Sequence, residues 1–414
     1  KVGDVVFDED GAPCKVTDKS QVKHLRCYKI TFNDTSEVVC DEEHLWSTVK
    51  GDVIGVHDLM GRHNGKQRTG IPKIPIAKPI EFRTQKLPVD PYVLGIWLAD
   101  GKNSSGEVSN PEMFIWDKIQ SLGYRVNKLA VPEGKCPTWT VRGIRKHLNS
   151  LGLLGNKKKR IPEIYMRSSI EQRQQLVRGI MDGDGYRNDT RKQALLSTVN
   201  KEFALQFKEL LLTLGERPLI NYTNGFGFGK AVKVYPVTFR PQTFNPFSLP
   251  RKAEGIAEWG KGRSWYRYAK KVEEVPSRPT QCIAVSSPNY TYLCTENYIP
   301  THNTGKKEGN EIKHHEQCME YAVCVALTDP EVHIFDVEVW YIDHGEKLRN
   351  QFTRRQVLQG FQNMKDRHQD VLDARLFPAK PNKFACMFCP YKAGTVGFKK
   401  LAYPGTGHCR SNVC

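Results

Sequence analysis

Gly95-Ile96-Trp97-Leu98-Ala99-Asp100-Gly101 and Gly179-Ile180-Met181-Asp182-Gly183-Asp184-Gly185 are two copies of one pattern, Gly-Ile-x-x-[Ala/Gly]-Asp-Gly, set 84 residues apart. A glycine inside a helix is destabilising by about 1 kcal/mol against alanine, so two helices that both carry one need a reason. Positions i and i+4 share a helix face, which puts Gly95 with Ala99 and Gly179 with Gly183, and small residues there let two backbones approach closely. The spacing therefore predicts that the two helices pack directly on each other. Each ends in an acid followed by a helix-stopping glycine, so Asp100 and Asp184 are expected side by side.

Working outward from these blocks, the pattern from Val89 to about Lys271 is α/β and repeats internally. After Asp100, strand-like stretches lead to an amphipathic helix over 113–122, closed by Gly123. After Asp184 the same order leads to Phe203, Phe207, Leu210, Leu211 and Leu214 at helical spacing, closed by Gly215. Residues 1–50 instead read as short strands, over 2–7, 27–32 and 37–40, with an Asp10-Gly11 hairpin turn. Prolines at 72, 75, 79, 88 and 91 make the stretch 71–91 an extended connector. Strands return over 281–293, and a short one precedes His302. Beyond Thr304 the chain predicts a helix over 308–327, strands over 332–342, a helix over 354–376 and a cysteine-bearing tail.

The 414 residues have room for two to four domains, and 39% hydrophobic content suffices for packed cores. A net charge of +17 favours an anionic polymer as partner, because a basic surface steers onto phosphates and releases their counterions. No run of 18 apolar residues and no signal-peptide pattern occurs, which points away from a membrane and toward the cytoplasm, of a bacterial or phage-infected cell. The 12 cysteines are mostly scattered singly, so no disulfide framework is expected.

Two carboxylates held together at a basic surface are costly to keep charged without a cation, which makes Mg²⁺ their expected partner. Metal ions there activate a water and stabilise the leaving oxygen of a phosphodiester. Residues 88–271 resemble the LAGLIDADG homing endonucleases of the intein-borne (DOD) type. The doubled block, the lead-in Leu87-Pro88-Val89-Asp90-Pro91-Tyr92 and the run Lys157-Lys158-Lys159-Arg160-Ile161-Pro162 carry the resemblance. It implies a monomeric enzyme with αββαββα halves, Asp100 and Asp184 as catalytic metal ligands, and double-stranded DNA read by two saddle-shaped sheets. Lys230, Lys233, Arg240 and Lys252 are candidates to line the groove or to supply an active-site lysine. The alternatives are a DNA-binding relic without cleavage and a free endonuclease fused to an unrelated tail.

A second constellation frames this region. Asn303 can attack its own backbone carbonyl through its side-chain amide, cutting the bond to Thr304, and His302 is placed to protonate the departing nitrogen. With these residues, and with His44 and Trp46 in Val38-Val39-Cys40-Asp41-Glu42-Glu43-His44-Leu45-Trp46, the flanks 1–87 and 272–303 resemble the all-β splicing (Hint) fold of inteins. Asp41 stands where that block more often has Thr. Trp46, Cys282 and Thr304 together resemble the class 3 inteins. There an internal cysteine attacks the upstream junction, which implies attack by Cys282, transfer to the Thr304 hydroxyl and cyclisation of Asn303, with the host segments as partners in cis. A thiolate is a good nucleophile for such a step. The chain begins at Lys1 inside a strand-like run, so the opening strands of such a fold, about 5 to 6 residues each, are expected upstream and needed for splicing.

Residues 304–414 are expected to be the downstream host segment. Thr304-Gly305-Lys306 with Gln317 and Tyr321 resembles the stretch after the active-site lysine in RecB-like nucleases of the PD-(D/E)XK superfamily, a partial α/β domain. Cys386-x-x-Cys389-Pro390, with Cys409 and Cys414, has the tight pair that metal sites use. The resemblance implies an iron–sulfur cluster, zinc is the chemical alternative, and inert thiols remain open.

Overall fold

The computed structural model describes residues 1–63, 68–155, 159–227, 230–260, 265–302, 316–341 and 346–373. Within its first compact unit, Lys1–Lys306, strands from the two ends of the unit pair with one another. Cys27–Phe32 lies between Glu37–Asp41 and Ala269–Val275, and Pro13–Lys19 lies between Val5–Phe7 and Ile283–Val285. Leu45–Ser47 joins Val53–Gly55 to Ile299–His302, which pairs in turn with Thr291–Cys294. Every pairing is antiparallel. Ile30, Phe32, Trp46, Leu59, Ile74 and Ile299 are fully buried between these sheets, so the expected early and late strands share one core. The strand Ala269–Val275 begins inside the span 88–271 assigned from sequence to the endonuclease.

Between these strands sits the repeat. The helix Pro91–Asp100 starts on Asp90, whose carboxylate accepts from the amides of Tyr92 (2.8 Å) and Val93, with Pro91 set at the first turn where its missing N–H is harmless. The helix Ile170–Gly183 starts on a capping box between Ser169 and Gln172. The two pack at their glycines, as the spacing predicts. A Cβ on Gly95 would fall 2.5 Å from the Leu176 carbonyl oxygen and 2.9 Å from the Gly179 Cα, and one on Gly179 would strike the Tyr92 carbonyl. Trp97, Trp116, Ile180, Leu196, Phe207 and Phe239 belong to the buried core around the crossing.

Each half adds a sheet. The second has five strands, Gly185–Asn188, Gln193–Thr198, Leu219–Ile220, Thr223–Gly227 and Lys230–Phe239. The first has three, Glu107–Ser109, Val126–Lys128 and Thr138–Val141, and its expected leading strand is reduced to a bridge between Gly101 and Val108. The cause is local. The polar stretch 102–106 turns at once, with the Lys102 amide on the Glu107 carbonyl and the Trp97 indole N–H on the Ser105 carbonyl at 3.0 Å.

The second unit, described by itself, holds the helix Glu316–Thr328, the hairpin Ile334–Tyr341 with Glu346–Thr353, and the helix Arg354–Asp373. Ala322, Val323, Phe335, Phe352 and Val357 form its core. Tyr321 is exposed on the first of these helices. Among the described residues no helix is long and apolar enough to cross a membrane.

Candidate functional site

Asp100 and Asp184 end their helices at the crossing. A Cβ on Gly183 would lie 2.8 Å from Asp100 Oδ2, so the Asp100 carboxylate rests on the second helix one residue before Asp184. Burial pushes Asp100 up to about 6, opposed by the Asn110 amide that donates to Oδ2 at 2.7 Å and reinforced by the charge of Asp184. Asp184 is also raised by the loss of solvent around its carboxylate, with Lys159 and Lys252 pulling the other way. Both acids thus favour a proton, or another cation, more than a solvated aspartate does.

The two lysines occupy matching places. Lys159 donates to the carbonyls of Leu98 (3.0 Å) and Ala99 (3.2 Å) at the end of the first helix. Lys252 donates to Asp182 (2.8 Å), Gly183 (3.4 Å), Met181 (3.0 Å) and Gly185 (2.7 Å) at the end of the second. A cation there satisfies carbonyls that the helix leaves unpaired and favours the negative end of its dipole. Asp182 points away from this centre. Buried, it accepts from the Tyr92 hydroxyl (2.8 Å) and the amides of Ser248 (2.9 Å) and Leu249 (3.0 Å), which fastens the second helix to the first.

On the strand Ile299–His302, Thr301 and His302 meet the segment that carries His44 and Leu45. His302 stands opposite Leu45, and the Thr301 hydroxyl bonds His44 Nε2. Burial lowers the His44 imidazole to about 4, with His302 adding to the effect and Asp41 opposing it, so His44 is neutral near pH 7. Trp46 is fully buried and meets the His44 ring edge-on, centroids 5.0 Å apart. Cys282 is half-buried, its backbone fixed by two bonds with Ser20: its amide donates to Oγ at 3.0 Å and its carbonyl accepts the Ser20 amide at 2.9 Å. Asn303 and Thr304, with Cys386, Cys389, Cys409 and Cys414, lie outside the described residues.

Residues 171–226 match the model of the LAGLIDADG-like domain. The matched span covers the second helix with its acid and most of the sheet that follows. The chain is 27% identical over 334 residues to the replicative DNA helicase DnaB of Mycobacterium intracellulare, covering 73% of this chain and 55% of that protein. It is 26% identical over 229 residues to the ATP-dependent DNA helicase Hel308 of Thermococcus kodakarensis, covering 49% of this chain and 20% of that protein. It thus spans about half of one curated relative and a fifth of the other. Among solved structures, the MchDnaB-1 intein is 13% identical, with 73% of this chain and 85% of that chain covered and a TM-score of 0.22. I-DmoI in complex with DNA and Mn is 13% identical, with 42% and 97% covered and a TM-score of 0.27. At scores that low, neither structure adds weight to the fold.

Around the span 171–226, the basic residues named from sequence fall into different roles. Lys252 is 7% exposed and caps a helix end, and it also lines the open cavity beside Gly185, Tyr186 and Arg187. Lys233 lies over the Tyr222 ring at 5.7 Å, and Arg240 donates to the carbonyls of Lys192 (3.1 Å) and Arg191 (2.9 Å). Lys230 opens the strand Lys230–Phe239, and its side chain lies outside the described residues. Sequence reasoning did not single out Lys159, Asn110 or Thr301 as site residues. Lys159 was visible only as part of a basic run, and nothing in the sequence ties Asn110 to Asp100.

Proposed function

We propose that the chain is a self-splicing intein element carrying a LAGLIDADG endonuclease that cuts double-stranded DNA at a specific site. The observation that supports it most is the meeting of Asp100 and Asp184 at a helix crossing set between two sequence-distant parts of one β domain. A divalent metal fits the pair. Both carboxylates are raised by their surroundings, Asp100 half-buried and Asp184 open to solvent and phosphate, and among the described residues no cluster of three or more acids, histidines or cysteines competes for it. Two carboxylates leave the remaining positions of Mg²⁺ for water and phosphate oxygens, as such sites do. When bound, the metal supplies an activated water and charge for the leaving oxygen. The chain's own part is to hold the carboxylates, Asp100 turned by the Asn110 amide, and to set Lys159 and Lys252 where their charge offsets the acids' repulsion.

In the splicing centre, the Asn303 side-chain nitrogen attacks its own carbonyl carbon, the bond to Thr304 breaks, and His302 gives a proton to the departing amine, leaving a succinimide. Cys282 is the nucleophile for the upstream junction and Thr304 the hydroxyl that takes over the acyl group. His44, neutral and oriented by Thr301 and by the Trp46 edge, polarises the upstream bond. Residues 304–414 belong in this reading to a RecB-like nuclease host, with Cys386, Cys389 and Cys409 available to an iron–sulfur cluster or zinc. Two measurements test the proposal. Mg²⁺ with the purified chain should linearise a plasmid bearing the uninterrupted host gene, and in a precursor that carries the upstream strands mass spectrometry should detect cleavage between residues 303 and 304 that Asn303→Ala abolishes. A chain that does neither overturns it.

A further inference from the structure

The hairpin turn 295–298 links Thr291–Cys294 to the junction strand Ile299–His302, with Cys294 opposite Ile299. Two of its four residues, Thr295 (φ +60°) and Tyr298 (φ +49°), sit in the left-handed region, where a side chain other than glycine is disfavoured by roughly 1–2 kcal/mol. The turn's own bonds, from the Asn297 amide to Thr295 Oγ1 and from the Tyr298 amide to the Thr295 carbonyl, are both 3.2 Å. Further bonds reach it from outside. The Tyr298 hydroxyl accepts from Arg167 Nη1 at 2.9 Å and donates to Glu209 Oε1 at 3.0 Å, and Arg167 Nη2 closes the triangle on the same oxygen at 3.1 Å. The Asn297 side-chain oxygen accepts from Lys208 Nζ at 2.9 Å, and its carbonyl accepts from Arg267 Nη2 at 3.1 Å. Arg267 is itself buried and bonded to Asp34.

Arg167, Lys208 and Glu209 all belong to the inserted repeat, the last two on the helix Lys201–Thr213. Three and four residues beyond the turn, Thr301 reaches His44 and His302 stands opposite Leu45. Because side chains alternate along a strand, a slip of one residue would turn Thr301 away from His44 and move His302 to the other face. We infer that the endonuclease repeat sets the register of the junction strand through its grip on Asn297 and Tyr298, which makes these two, with Arg167, Lys208 and Glu209, positioning residues for Asn303 cyclisation. The inference rests on the splicing reading above.

The test uses the precursor with its upstream strands and follows three quantities: cleavage of the 303/304 bond, Mg²⁺-dependent DNA cutting and the melting midpoint. Tyr298→Phe combined with Lys208→Met removes one hydroxyl and one ammonium while keeping both side-chain shapes. It should slow 303/304 cleavage about tenfold or more while Mg²⁺-dependent DNA cutting holds and the protein stays folded at the assay temperature. Lys208→Arg, which keeps the cation, should restore most of the rate in the Tyr298 background. A cleavage rate within about twofold of the parent, or one that falls only as the melting midpoint falls, overturns the inference. A parent chain that never cleaves at 303/304 overturns the splicing reading and the inference together, which separates the two failures.

Discussion

The two halves of the repeat use one backbone plan and different side chains. The offset of 84 residues maps Leu98, Ala99 and Asp100 onto Asp182, Gly183 and Asp184, and a lysine reaches the same two carbonyls in each half, Lys159 in one and Lys252 in the other. What differs is what surrounds each acid. Asp100 is turned by Asn110, whereas Asp184 is the more exposed residue and, among the described residues, has no such amide on it. Apolar Leu98 is matched by buried Asp182, which ties the second helix to Tyr92 of the first. The geometry that brings the acids together is thus symmetric, and the tuning of each acid is not.

The largest expected effects break the pair at its acids. Asp100→Asn and Asp184→Asn should each lower double-strand cutting by about a hundredfold or more, roughly 3 kcal/mol in the barrier, with DNA binding retained. A supercoiled-plasmid assay checks this. If either variant leaves a nicked circle, the halves serve one strand each, and the shared centre is wrong. Next come the lysines. Lys252→Met strips a charged donor from four carbonyls and Lys159→Met from two, so denaturant unfolding should find the first destabilised by about 3 kcal/mol and the second by about half that. Equal losses would mean that the extra bonds of Lys252 to Met181 and Gly185 carry nothing. Gly95→Ala and Gly179→Ala follow, each gaining helix propensity but forcing the backbones apart, for a net loss of about 1–2 kcal/mol. The double variant should lose less than the sum, since one separation relieves both clashes.

The parts of this molecule that were legible in the sequence are those written in backbone chemistry. Glycines at helical spacing predicted the crossing, and the acid-glycine ends placed Asp100 and Asp184 on it. The run 27–32 was readable as a strand because its buried residues are apolar and the turn residues Asn33 to Ser36 follow it. Long polar side chains were not legible, since where Lys159, Lys252 or Arg167 terminates depends on tertiary distance and not on spacing. Asn110 lies ten residues from Asp100 and reaches it only because the stretch after Gly101 turns instead of forming a strand. The partnership of His44 with Thr301 likewise needed the pairing of two strands more than 250 residues apart.

A smaller effect sharpens the same comparison away from the acids. Each half follows its second helix with a left-handed glycine, Gly123 (φ +87°) and Gly215 (φ +75°), and the next residue reaches back to fix a backbone. In the first half Tyr124 does so, its hydroxyl accepting the Asp90 amide at 2.8 Å. In the second, fully buried Glu216 accepts the amides of Gln242 (3.0 Å) and Thr243 (2.9 Å) and the Thr243 hydroxyl (2.8 Å). Burial nevertheless pushes Glu216 up to about 7, above the ordinary 4.5 of a glutamate. Between those two values the folded chain keeps a proton that the unfolded chain releases, so rising pH lowers stability across that window, by a few kcal/mol in all, and the loss is complete above about 7. Glu216→Gln should flatten the dependence of the unfolding free energy on pH between about 4.5 and 7, whereas Tyr124→Phe should shift the whole curve by about 1 kcal/mol without changing its slope. A slope that survives Glu216→Gln would assign it to other buried carboxylates, and the two halves would then be equivalent at this position.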